Sequence, residues 1–221
     1  FVQSCIPEAL HAALEKRFVE TKAPKGLTLI MCAGAGDSKG LGTGRLHHEG
    51  LLTRVIAANF GRMPKVAQAA QENKITGYNL PQGVITHLFR DIAAGKPGTL
   101  TRIGLGTFVD PRNGGGKLNP RTTRDVVELI TIDGNEYLFY KAFPINVGIV
   151  RGTTADPDGN VTMEKEALTL ESQAAAMAAK NSGGIVIVQV ERVAERHTLN
   201  SRNVKIPGVL VDCVVVAEKP E

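Results

Sequence analysis

Ile75-Thr-Gly-Tyr-Asn-Leu-Pro-Gln-Gly-Val84 is the stretch on which the reading of this chain turns. A short run of strand composition, Ile75 to Leu80, stops at Pro81, and a helical pattern begins at about Val84. Between them stands one uncharged amide, Gln82, with Gly83 behind it. In open α/β sheets, ligands bind in crevices beyond the carboxyl ends of the strands. A glutamine at such a point aims an NH2 donor at a ligand oxygen without adding charge. The same residues also suit a Pro-Gly-bounded surface turn with a solvated glutamine. The local pattern leaves both readings open.

Working outward, strands and helices alternate. Ile6-Pro7-Glu8 opens a helix, with proline suited to the first turn and Glu8 favourable at its positive end. Ala9, Leu10, Ala13, Leu14 and Phe18 then share one face at helical spacing. Leu27 to Cys32 is a near-continuous apolar run, as expected of a buried parallel strand. Further strands are expected at Arg54 to Ala58, Ile75 to Leu80, Leu100 to Leu105, Val147 to Arg151, Gly184 to Val190 and Val209 to Val216. Helices are expected at Pro64 to Asn73, Val84 to Ala94 and Leu168 to Asn181. This alternation predicts an α/β fold with a mostly parallel sheet flanked by helices. Val126 to Ile132, Asp133-Gly134 and Glu136 to Ala142 read as a small antiparallel hairpin inserted into it. No internal repeat or convincing linker divides residues 1–221, so one domain is expected, and the polar 218–221 tail reads as a linker start or a cut.

Composition narrows the partners. The 221 residues are 43% apolar and 22% charged, with a formal charge of +4, which is ordinary for a globular domain. There is no Lys/Arg run and only ten aromatics, seven Phe and three Tyr, so nothing argues for a nucleic-acid surface. No stretch approaches the ~18 apolar residues of a membrane span. Cys5, Cys32 and Cys213 are odd in number and far apart, which fits free thiols and a cytoplasmic setting.

Several motifs invite chemistry. The glycine-rich run from Gly34 to Gly44 follows a strand, but Lys39 stands where a dinucleotide fingerprint needs its third glycine, and no Gly-Lys-Ser/Thr occurs. It is expected to be a loop at a site edge or a plain surface loop. His47-His48-Glu49 looks metallic, yet neighbouring side chains on a helix or strand point apart and no zinc spacing is present, so no metal is expected. Asp156-Pro-Asp-Gly-Asn160 resembles a calcium loop, but Ala167 sits where the bidentate Glu belongs. Gly104 to Asn119 is different: it leaves a strand, carries five glycines, and sets Asp110, Arg112 and Lys117 in one irregular segment. Glycines let backbone N–H groups approach a ligand, though the composition also fits a mobile loop. No nucleophile-plus-base set is present.

Taken in order, these loops resemble the family I CoA-transferases, in their first (α-type) half. Phe1-Val-Gln-Ser-Cys-Ile-Pro7 is similar to the end of that family's Gly-Gly-Phe-x-x-x-Gly-x-Pro signature, whose leading glycines and preceding strand would fall before residue 1. Leu80-Pro-Gln-Gly83 resembles its Pro-Gln-Gly segment. Gly104-x-Gly-Thr107 with Gly115-Gly116-Lys117 resembles its substrate loop, and Thr107 to Arg112 is most like the fused acetate/propionate enzymes. Ile206 to Asp212 extends the likeness almost to the end of the chain. Cys5 departs from the glycine that the signature expects.

The resemblance implies a CoA-transferase/ribose-phosphate-isomerase-like fold and a ping-pong transfer of CoA between short-chain carboxylic acids. It implies that Gln82 serves the oxyanion and that Phe1, Val2, Gln3, Gly83, Gly104, Gly106, Thr107 and Lys117 line the substrate. CoA is then a substrate, with no permanent cofactor and no metal. The nucleophilic glutamate belongs to a Ser-Glu-Asn-Gly-type motif of the β-type half, which this chain lacks; Glu72-Asn73 is followed by Lys74. A β-type half, in the same native chain or a partner subunit, and a homo- or hetero-oligomer are therefore expected. A sugar-phosphate isomerase or deaminase, or an inert ligand-sensing module on the same fold, are the competing readings.

Overall fold

Strand, turn and helix follow one another around Pro81 in the computed structural model of the protein, which describes residues 5–217. The order is α1 (Glu8–Thr21), β1 (Leu27–Met31), β2 (Leu52–Ala57), α2 (Pro64–Gln71), β3 (Thr76–Asn79), α3 (Gln82–Ala93) and β4 (Gly98–Thr101). There follow β5 (Val127–Ile132), β6 (Asn135–Lys141), β7 (Val147–Arg151), β8 (Thr154–Ala155), β9 (Val161–Thr162) and α4 (Ser172–Asn181). The chain closes with β10 (Ile185–Val190), β11 (Arg192–Val193), β12 (Val204–Ile206) and β13 (Cys213–Val216).

Strands β1, β2 and β3 form one parallel sheet in that order, with Ile56 of β2 between Ile30 and Tyr78. A second parallel sheet has the order β13-β10-β7, with Val188 between Val214 and Val150. Their apolar strands are covered by helices whose stripes match the helical period. On α3, Val84, Ile85, Leu88, Phe89 and Ile92 are all buried. On α4 the buried face is almost all alanine, so the helix lies close enough to β7 that Gly148 has room for little else. Each fully buried side chain such as Leu88 or Ile85 is worth about 1.5–3 kcal/mol. Helix α1 has no side-chain cap from Pro7; instead the buried Gln189 of β10 accepts from the amides of Ala9 (2.9 Å) and Leu10 (3.3 Å).

The predicted hairpin is β5–β6, and its Asp133-Gly134 turn has positive φ at both residues, as a two-residue connection requires. Its company differs from the expectation. The segment read as a parallel strand at 100–105 is β4 at 98–101, and it pairs antiparallel with β6, Leu100 opposite Phe139. At Gly104 the backbone turns with φ +102, where a Cβ would stand 2.5 Å from the Tyr140 hydroxyl. Helix α4 starts four residues later than its pattern because Leu170 is left-handed (φ +47). Helix α3 starts two residues earlier, so Gln82 and Gly83 are its first turn. The strand expected from Val209 is a short 3-10 turn followed by β13. The four-stranded β11-β8-β9-β12 sheet is made of strands too short to leave a pattern.

Candidate active site

Gln82 begins α3 directly beyond the carboxyl end of β3. Pro81 sits at the cap and its carbonyl takes the amides of Val84 (3.0 Å) and Ile85 (3.1 Å). The half-buried Gln82 side-chain amide has no hydrogen-bond partner among the described residues. It sits at the positive end of the helix dipole. Gly83 is exposed, and a Cβ there would meet nothing within 4 Å. This uncharged donor is suited to a developing negative oxygen.

One turn further on, Thr86 ties this helix start to two other parts of the chain. Its Oγ1 donates to the Gln82 carbonyl (3.1 Å), lies 2.8 Å from Glu171 Oε1 and 3.6 Å from Cys32 Sγ just past β1. Burial pushes the Cys32 thiol up to about 12. Neither Thr86 nor Glu171 was singled out in the sequence; a hydroxyl one helical turn after Gln82 was the available signal.

The glycine loop at 104–119 returns along the edge of β3. Asn79 N donates to Gly116 O (2.8 Å), Leu118 N donates to Gly77 O (3.0 Å), and Tyr78 and Lys117 form an antiparallel bridge. Thus Gly116 and Lys117 are brought beside the strand end that leads into Gln82. Lys117 Nζ lies 2.5 Å from Asp125, so its charge is already paired. The loop is pinned from inside rather than mobile. Buried Asp110 accepts from Gly106 N (2.9 Å), from Arg112 N (3.0 Å) and from the Arg112 guanidinium, whose hydrogen bonds hold its carboxyl far below the usual carboxylate range. Arg112 also reaches Glu136 on β6. Thr107 Oγ1 donates back to Gly104 O at 2.7 Å. Phe108 at the loop tip is 57% exposed.

Phe1, Val2 and Gln3 lie outside the described residues, as does the 218–221 tail. Cys5 is described, and the departure from glycine has a structural cost: its φ is +55, the left-handed region that favours glycine. Its Sγ donates to Leu168 O (2.8 Å), and burial, then Glu166, pushes the thiol up to about 11. Residues 168–171 therefore touch both Cys5, through Leu168, and Thr86 of α3, through Glu171.

The other motifs are settled locally. Asp37 Oδ1 accepts from the amides of Lys39 (2.8 Å), Gly40 (2.8 Å) and Leu41 (2.9 Å), filling with its own carboxylate the nest that a phosphate would need. Asp156 accepts from Asp158 N and Asn160 N as a tight turn. The two adjacent histidines do not point apart: the rings of His47 and His48 stack with centroids 4.5 Å apart.

Comparison with known proteins places the chain in a family. The family model described as Coenzyme A transferase matches residues 1–217. A caffeate CoA-transferase of Acetobacterium woodii is 51% identical over 211 residues, which are 96% of this chain and 40% of that protein. The chain thus spans about two fifths of that relative's length. The alpha chain of an acetoacetyl-CoA:acetate/butyrate CoA transferase from Clostridium acetobutylicum is 29% identical over 191 residues, with 86% of this chain and 78% of that one covered. Among solved structures, the acyl-CoA transferase YdiF of E. coli O157:H7, in a thioester complex with CoA, superposes with TM-score 0.97 at 40% identity, covering 99% of this chain and 43% of that one.

Proposed function

Because this chain belongs to the coenzyme A transferase family, in its α-type half, we propose that it forms part of a short-chain acyl-CoA:carboxylate CoA-transferase and supplies the oxyanion donor. The observation that carries this is Gln82: an uncharged amide, without a hydrogen-bond partner among the described residues, at the positive end of α3 and near the glycine loop. The β-type half, in the same native chain or a partner subunit, supplies the glutamate nucleophile. Its carboxylate attacks the thioester carbonyl and expels CoA thiolate, leaving an acyl-glutamyl anhydride. The thiolate attacks the glutamyl carbonyl, releases the first carboxylic acid and forms a glutamyl-CoA thioester. The incoming carboxylate repeats the two steps in reverse and leaves as acyl-CoA. In each tetrahedral intermediate the Gln82 NH2 donates to the oxyanion, and being neutral it does not trap either carboxylate as an ion pair.

Phe1, Val2, Gln3 and the segment holding Gly104, Gly106, Thr107 and Lys117 shape the acyl pocket in this reading. Asp110 and Arg112 hold that segment still. The protein works in the cytoplasm, in short-chain fatty acid or ketone-body metabolism, as an oligomer; among the described residues no helix is long and apolar enough to cross a membrane.

The test uses the complete protein. Substituting Gln82→Ala should lower kcat by ~10²–10³ while the KM for acyl-CoA changes little; an unchanged rate removes Gln82 from the chemistry. Incubation with acetyl-CoA and then borohydride should abolish activity by reducing a glutamyl thioester, and full survival of activity would reject the covalent route. Acetate, propionate and caffeate offered in turn as acceptors define the acid.

A further inference from the structure

The stacked histidines stand against helix α1, apart from the Gln82 site. The backbone is in a 3-10 turn up to His47 and becomes extended at His48 (φ −61, ψ 135). That switch cancels the divergence of neighbouring side chains and lays both rings on one side. Glu15, near the middle of α1, completes the group: one ligand atom from each of Glu15, His47 and His48 lies within 4.8 Å of the other two.

We propose that Glu15, His47 and His48 form a transition-metal site, with Zn(II) as its natural occupant, that clamps α1 to the turn at 43–48. A four-coordinate zinc with bonds of 2.0–2.2 Å places its ligand atoms about 3.3 Å apart, a spacing within ordinary side-chain rotation of the distances present. His48 Nε2 already lies 2.8 Å from Glu15 Oε1.

The surroundings hold two of the ligands in binding form, whereas His48 Nε2 must release to solvent the proton it donates to Glu15 Oε1 before a metal takes its place. His47 Nδ1 faces the Gly44 carbonyl at 3.0 Å; donating there leaves the Nε2 lone pair outward. The other oxygen of Glu15 takes Arg45 Nη1 at 2.7 Å, which orients the carboxylate as outer-shell donors do in metal sites. Three protein ligands leave one position for water or a small anion. Lys65 is the competitor: its exposed Nζ stands 3.4 Å from His47 Nε2 and must turn away for the metal to enter. Two imidazoles and one carboxylate suit Zn(II) and, more tightly, Cu(II), whereas Mg(II) and Ca(II) want oxygen alone.

The experiment titrates the chelator-stripped complete protein with ZnCl2 alone, against a chromophoric chelator, while unfolding midpoints are read with and without zinc. One zinc per chain is expected, with a raised midpoint. His47→Gln, His48→Gln and Glu15→Gln should each weaken binding about tenfold or more, comparing with what outer-shell losses alone cost. Lys65→Ala should tighten it, a result that a merely adventitious surface histidine pair has no reason to give. Zinc uptake equal in the parent and in the His47→Gln/His48→Gln double variant overturns the site, as does a parent midpoint that zinc does not move. Should the double variant fail to fold, Glu15→Gln and Lys65→Ala, one weakening and the other tightening, decide the matter; an unchanged affinity in both rejects it.

Discussion

Cys5 and Gly116 show how much a single backbone conformation decides. Cys5 is held left-handed, a conformation that costs an L-residue about 1–2 kcal/mol, and regains roughly 1 kcal/mol through its hydrogen bond to Leu168 O. Cys5→Gly should therefore leave stability within about 1 kcal/mol of the parent or above it, whereas β-branched Cys5→Val should lose about 2 kcal/mol in a denaturant titration. Gly116 admits no such exchange. Its φ is +73 and a Cβ would stand 2.7 Å from the Asn79 carbonyl. Gly116→Ala should cost about 2–3 kcal/mol and, by pushing the strand end that precedes Gln82, lower turnover in the fraction that stays folded. The positive-φ requirement at residue 5 was legible as a glycine expected by resemblance. Its satisfaction by a cysteine was not, because a thiol finds its acceptor 163 residues away.

Among the elements, the loop at 104–119 carries the clearest consequence. Its glycines suggested mobility, but buried Asp110 gathers its backbone and the Arg112 guanidinium into one knot. With its folded carboxyl held below the ordinary range, Asp110 contributes stability that is full above the unfolded value near pH 4 and is lost as pH falls toward the folded one. Asp110→Asn keeps the shape and removes the charge. We expect roughly tenfold faster limited proteolysis within the loop and a raised KM for the acid at unchanged far-UV dichroism; a protease pattern identical to the parent's would show that the knot is not what orders the loop. Elements with strong periodicity, such as α3 and the β5–β6 hairpin, were legible from residues alone. The partner of β4 was not, since a four-residue strand gives the same pattern whichever neighbour it takes.

Over the whole molecule, a buried histidine sets acid sensitivity. His11 of α1 is 6% exposed, its Nδ1 has no partner among the described residues, and burial, then Arg45, pushes it down to about 4. Its folded value lies below its ordinary 6.5, so the unfolded chain binds the proton first. The stability is full above about pH 6.5 and is lost as pH falls to about 4, a difference of about 3 kcal/mol. His11→Leu should flatten that stretch of the pH–stability curve, and an unchanged slope would assign it to other groups. Expressed alone, the chain should show no CoA transfer, and adding the β-type half should restore transfer that depends on Gln82. Activity of the chain alone would place the nucleophile within it. The residues by themselves determined the alternation of strands and helices, the placing of Gln82 past a strand end, and the family, because periodicity and short motifs are local in the chain. Tertiary structure alone decided that Gly116 and Lys117 lie beside Gln82's strand, that Lys117 is paired with Asp125, and that two neighbouring histidines turn the same way toward Glu15. Each of these depends on contacts or backbone turns joining distant residues, which a one-dimensional pattern does not encode.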